Sequence, residues 1–183
     1  MKNMKSEYTG NLLLYPCPVV LVTSKDNAVE NVFTVSWAGI ASSHPEYITI
    51  AINLKRFSYS IIQKSKKFCV NIPNSSLIYE VDRCGSISGC DTDKFQICKF
   101  KKTYYNSDYI LIDQCPVHLI CEVESIVKLG SHDLFVAKVT HKLIDSHISN
   151  IYQDIDPIVY FRPNYYQIGK DKIGYYGYTA KEY

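Results

Sequence analysis

The stretch Asn31-Val32-Phe33-Thr34-Val35-Ser36-Trp37 runs into Ala38-Gly39-Ile40-Ala41-Ser42-Ser43 and then, past Pro45, into Tyr47-Ile48-Thr49-Ile50-Ala51-Ile52. Both ends are short runs of β-branched and aromatic residues, the composition that suits a pleated, half-buried surface. They read as two strands flanking a loop of small side chains. Upstream, Val19-Val20-Leu21-Val22-Thr23 follows Pro16 and Pro18 and reads as another strand, with its turn at Ser24-Lys25-Asp26-Asn27. Downstream, Lys67-Phe68-Cys69-Val70-Asn71-Ile72 reads as a fourth, preceded by a short helix from Ser58 to Lys64 with a serine at its N-cap.

From Asn74 to Phe100 the apolar period lengthens. Ser75 or Ser76 caps a helix carrying Leu77, Ile78 and Val81, and the segment from Asp91 to Phe95 starts another. Strand pattern returns with Val117-His118-Leu119-Ile120-Cys121-Glu122-Val123 and Ser125 to Lys128. A turn at Leu129-Gly130-Ser131 joins these to the run from Asp133 to Leu143 as a hairpin. Ile158-Val159-Tyr160-Phe161 reads as the final strand, and the tail from Pro163 is rich in Tyr and Gly. Several strands, few short helices and no alternating βα rhythm predict a mainly β protein, a closed or nearly closed barrel rather than a doubly wound sheet. A length of 183 residues without an interdomain linker predicts a single domain.

Composition narrows the function. A formal charge of +2 with scattered lysines does not build the basic stripe that nucleic-acid binding requires. No window approaches the roughly 18 apolar residues of a membrane span, and the lysines of the first residues have no apolar run behind them, so the expected location is the cytoplasm. Sixteen tyrosines suit half-buried strands, pocket walls and subunit interfaces. The seven cysteines contain no C-x-x-C, which argues for reduced, mostly buried thiols and against a metal site. Cys84 and Cys90 fall in the helical insertion, where exposure and a redox role are open. The dinucleotide, phosphate-loop, nucleophile-elbow and zinc-protease signatures are all missing. His118 and His141 sit within strands and read as structural.

Two local features stand out. Trp37, the sole tryptophan, ends a strand beside Ala38 and Gly39, so its indole either walls a pocket or fills the core. The segment Lys55-Arg56-Phe57-Ser58-Tyr59-Ser60 brings cations and hydroxyls to a helix N-terminus, which is either a phosphate site or a solvated, serine-capped turn.

The order of these features resembles the flavin reductase-like, FMN-binding split-barrel family, and within it the flavoredoxin branch. The segments that carry the resemblance are Pro16-Cys17-Pro18 with the strand after it, Asn31 to Trp37, Arg56-Phe57-Ser58-Tyr59, Phe68 to Pro73, Asp93-Lys94-Phe95 and Gly130-Ser131-His132-Asp133-Leu134-Phe135. The resemblance spans about residues 11 to 170, the core of the expected domain, and implies a split β-barrel of Greek-key type with one bound FMN. It implies that Asn31 meets the polar edge of the flavin, that Trp37, Ala38 and Gly39 wall the ring, and that Arg56 and Ser58 hold the phosphate. Lys94 and His132 match polar positions near the ring, where a cation favours the anionic reduced flavin. Phe161 is the further aromatic contact, with Tyr160, Tyr165 and Tyr166 as neighbours in the same role. A homodimer with the flavin near its interface is also implied.

Two functions share that pocket. One is an oxidoreductase passing electrons from NAD(P)H or a reduced carrier protein through FMN. The other is an FMN electron-transfer module between protein partners with no nicotinamide site. A barrel that has lost its flavin is the least favoured, because the polar positions are all kept.

Overall fold

A computed structural model describes residues 5–169 and residue 171. The Tyr- and Gly-rich tail expected at the C-terminus lies mostly outside the described residues, as do the first four residues. Twelve strands and four α-helices, besides a short 3-10 turn at Ser75–Leu77, occur among those described. In chain order they are β1 (Cys17–Pro18), β2 (Val20–Asp26), β3 (Val29–Val35), β4 (Ala38–Ser43), β5 (Glu46–Asn53), α1 (Phe57–Ser65), β6 (Lys67–Ile72), α2 (Ile78–Ser86), α3 (Lys94–Ile97), β7 (Lys102–Tyr105), β8 (Tyr109–Ile112), β9 (Val117–Lys128), β10 (His132–Ile144), α4 (Ile151–Asp154), β11 (Ile158–Phe161) and β12 (Asn164–Gln167).

Seven strands form one antiparallel sheet in the order β3-β2-β6-β9-β10-β5-β4, the crossovers giving it the expected Greek-key character. Register shifts in the long β9–β10 ladder, between Val136 and Ala137 and between Val139 and His141, bend the sheet on itself. The two ends of the sheet are adjacent in the chain, joined only by Ser36 and Trp37. There the Ala51 amide donates to the Trp37 carbonyl at 2.8 Å, extending the β4–β5 ladder into the turn, so the two edges meet through the chain itself and not through a β3–β4 ladder. Smaller sheets, β1-β11-β12 and β7-β8, lie outside it.

Alternation on β5 sends Ile48, Ile50 and Ile52 inward to meet Val22, Phe68 and Phe135 in the barrel core. The other face of β2 and β3 carries Leu21 and Val32 into a second core with Val81, Phe95, Ile110 and Ile158. This second core is why β2 is buried on both faces and lacks alternation. It fixes the helical insertion against the barrel.

The structure corrects several expectations. Ala38–Ser43 is not a loop but an edge strand paired with β5; only Ser36 and Trp37 turn the chain. Small side chains suffice there because most of the strand faces out. Strand β2 continues through Asp26, so the turn falls at Asn27, whose φ of 54° suits asparagine. Helix α1 begins at Phe57 with Arg56 at its N-cap, and Ser58 is a buried first-turn residue rather than the cap. Cys84 is fully buried, its Sγ 3.6 Å from that of Cys98, while Cys90 is exposed. Ile158–Phe161 is followed by β12 and is not the last strand. No helix among the described residues is long and apolar enough to cross a membrane.

Candidate functional site

Strand β3, helix α1, helix α3 and the connection between α2 and α3 meet around a cavity of ≈ 190 Å³. Asn31, Arg56, Ser58 and Lys94 all line it. Asn31 projects from β3 and Ser58 from the first turn of α1, both buried, and the Asn31 Nδ2 donates to Ser58 Oγ at 2.6 Å. Arg56 stands exposed at the start of α1 and its Nη1 donates to the Gly85 carbonyl at 3.1 Å.

Lys94 is the most demanding member. It is only 4 % exposed, and its Nζ donates to the Cys84 carbonyl at 2.7 Å. Among the described residues no carboxylate pairs with it. Burial holds its pKa below the usual lysine range; the nearby Cys84 thiol opposes that shift and the Arg56 charge adds to it. Asp93 makes this placement possible by capping α3, its Oδ1 accepting from the Phe95 and Gln96 amides.

A second cavity of ≈ 190 Å³ adjoins the first, sharing Phe33 and Arg56 as walls. It is lined by Thr34 to Trp37 together with Asn53 and His132. The Trp37 indole, nearly half exposed, leans on the His132 ring at 4.7 Å between centroids. Ser131 Oγ lies 3.0 Å from His132 Nδ1, which anchors that ring at the start of β10. On its other side Trp37 borders an apolar hollow of ≈ 320 Å³, shared with Ala38, Gly39, Leu12 and Tyr15.

Eight of the nine residues expected at a site therefore fall into three groups. Asn31, Arg56, Ser58 and Lys94 come together; Trp37 and His132 face the adjoining cavity; Ala38 and Gly39 face the apolar hollow. Lys94 keeps company with Arg56 and Ser58 rather than with His132. Phe161 lines none of these spaces and reaches the hollow only through Tyr15, 5.3 Å from its ring. Tyr160, Tyr165 and Tyr166 stay on the outer sheet with it.

Sequence reading passed over the Ser86-Ile87-Ser88-Gly89 connection, which closes the first cavity from the helical side. A serine- and glycine-rich stretch directly after a helix is a loop signal, and it is the one that could have found it. Together the joined cavities reach the lower end of the roughly 300–1,000 Å³ range of small-molecule sites. Cations and a hydroxyl gather at one end and planar rings at the other, which is chemistry suited to an anionic tail carrying a flat ring system.

Comparison with known proteins gives that shape a context. A family model described as the flavin reductase like domain matches residues 12–169. An uncharacterized protein of Archaeoglobus fulgidus is 32% identical over 144 residues, covering 75% of this chain and 78% of the relative. The flavoredoxin of Methanosarcina acetivorans superposes with a TM-score of 0.90 at 22% identity, covering 98% of each chain. An FMN-binding protein from Thermus thermophilus, solved with bound 1-cyclohex-2-enone, superposes with a TM-score of 0.82 at 18% identity, covering 95% of this chain and 98% of that one.

Proposed function

The chain belongs to the flavin reductase-like family, and from that premise we propose that it is a flavin-dependent oxidoreductase holding one FMN across the two joined cavities. The observation that carries this reading is the buried Lys94 ammonium, which has no anionic partner among the described residues. A buried charge without a counter-charge is costly, and a phosphate supplied by a ligand removes the cost. Arg56 and the Ser58 hydroxyl border the same space, so the donor set fits a phosphate dianion.

In this reading Arg56, Ser58 and Lys94 hold the phosphate. The end of β3 with Trp37 and His132 borders the ring, and Ala38 and Gly39 back the indole. FMN supplies the capacity to accept a hydride or electrons and pass them on. The protein's own residues bind, orient and shield; none needs to act as a nucleophile. Two of the structural neighbours, a flavoredoxin and an FMN-binding protein, support FMN as the flavin.

The described chain acts as a single domain in the cytoplasm and pairs as a homodimer. Leu12 and Leu14, strongly exposed along the apolar hollow, and Ile40, exposed on β4, support that pairing. Electrons arrive from NAD(P)H or from a reduced carrier protein.

The test is the visible spectrum of the purified protein, followed by anaerobic addition of NADH or NADPH. Flavin bands that bleach with nicotinamide are expected. Bands that bleach only with a protein or chemical reductant would make the chain an electron-transfer module, and a colourless protein that takes up no added FMN would refute the function.

A further inference from the structure

We propose that Asn31 is a positioning residue that acts through Ser58. By donating to the serine oxygen it commits the serine proton to the cavity, and so makes the site select a phosphorylated flavin over an unphosphorylated one. The inference rests on the FMN reading above and gives Asn31 a different task from contact with the flavin edge.

The argument is one of counting protons. A serine hydroxyl has one proton to donate and lone pairs to accept. Ser58 Oγ accepts from Asn31 Nδ2 at 2.6 Å, with both residues buried. Its own proton must then point elsewhere, and among the described residues no acceptor for it is recorded. The remaining direction is the cavity that Ser58 shares with Arg56 and Lys94. Three donors, two of them cationic, thus face one space, and an oxygen rich in lone pairs and carrying no proton is the natural occupant.

Two further observations hold the amide in place. The Asn31 carboxamide fills the space where a side chain at position 89 would stand, so the α2–α3 connection closes on it only because residue 89 is glycine. Without the amide, the Ser58 hydroxyl would be free to turn onto a backbone carbonyl of the segment that leads into α1, the local bonding serines commonly make. The donor would then be lost to the ligand although Ser58 itself remained.

The experiment measures FMN and riboflavin affinity side by side in the wild type, Asn31→Ala, Ser58→Ala, the double variant and Gly89→Ala. Asn31→Ala should weaken FMN about ten- to hundredfold, the value of one hydrogen bond to a charged group, and leave riboflavin within roughly threefold. The double variant should bind FMN no more weakly than Ser58→Ala alone, because the two act as one unit. Gly89→Ala displaces the amide from the loop side and should reproduce the Asn31→Ala preference, which keeps the test open if Asn31→Ala folds poorly. Equal losses for both flavins, or losses that add fully with Ser58→Ala, would overturn the inference and leave the FMN function standing. A wild type that does not bind FMN would overturn both.

Discussion

Lys94 brings a full positive charge into a place where, among the described residues, the only acceptor recorded for it is the neutral Cys84 carbonyl. Replacing a buried, unpaired ion by an apolar residue of similar shape commonly stabilises a fold. Lys94→Met should therefore raise the stability of the flavin-free protein by about 1 kcal/mol or more while weakening FMN binding, which paired denaturant unfolding and FMN titration would reveal. A loss of stability in the flavin-free variant would mean that the charge is compensated after all. The lowered Lys94 pKa also sets a pH dependence. FMN needs the ammonium charged, so its advantage over riboflavin should fade as pH rises, and at lower pH than the ordinary lysine value of about 10.4 would give. The stability of the flavin-free fold runs the other way: between the lowered value and about 10.4 the unfolded chain binds more protons, so stability rises with pH there. Sequence singled out Lys94 only through the family resemblance. Nothing local announces that a lysine beside Asp93 and Phe95 will be buried.

Strands β2, β6, β8 and β9 are tied by a polar cluster whose members line none of the candidate cavities. Asn71 Oδ1 accepts from the Ile112 amide at 2.9 Å and faces His118 Nδ1 at 2.8 Å, while its Nδ2 donates to Thr23 Oγ1 at 3.1 Å and the Leu21 carbonyl at 3.2 Å. All of these groups are buried. Asn71→Ala would orphan several of them at once and should cost about 3 kcal/mol, measured by denaturant unfolding. An effect within about 0.5 kcal/mol would show that water replaces the amide. His118 is held below the usual histidine range, chiefly by burial, with the acidic Asp145 and Asp113 opposing. In the window between that lowered value and about 6.5 the unfolded chain takes up protons that the fold refuses. Stability should accordingly decline as pH falls through that window, and His118→Gln should flatten the decline. The alternation on β5 and the β9–β10 hairpin were legible because their period and turn residues are local properties. Hairpin β7–β8 was not, since Lys102-Thr103-Tyr104-Tyr105 shows no clean alternation and its turn uses Asn106 and Ser107 at φ of 49° and 62° without a glycine. The edge strand β4 escaped for a similar reason: small residues that look like a loop become a strand once β5 offers its hydrogen bonds.

The described fold rests mainly on two large cores on either face of β2 and β3, with a smaller cluster of Cys69, Tyr109 and Ile120, and the candidate site lies where the barrel and the helical insertion meet. A ligand bridging those two bodies stabilises the fold by mass action, about 2.7 kcal/mol at a hundred times its Kd. For a chain of this size that corresponds to a rise in Tm of roughly 5–10 °C. The thiols report on the same architecture. Cys90 is exposed, Cys17 partly so, and Cys69, Cys84, Cys98, Cys115 and Cys121 are buried. Cys90 should react first with a thiol reagent and the buried five only on unfolding; early labelling of Cys84 or Cys98 would mean that the insertion opens. Fold class was readable from strand count and turn spacing. The grouping of Asn31, Arg56, Ser58 and Lys94 was not, because it depends on how the insertion folds back over β3.

The central claim is that FMN occupies the space between Trp37 and the Arg56–Lys94 end, and Trp37, the sole tryptophan, makes it directly measurable. Its fluorescence would be followed while the flavin-free protein is titrated with FMN. Saturable quenching at one flavin per chain, weakened by Arg56→Ala, is the expected result. Unchanged tryptophan emission with the flavin remaining free in solution would contradict the claim.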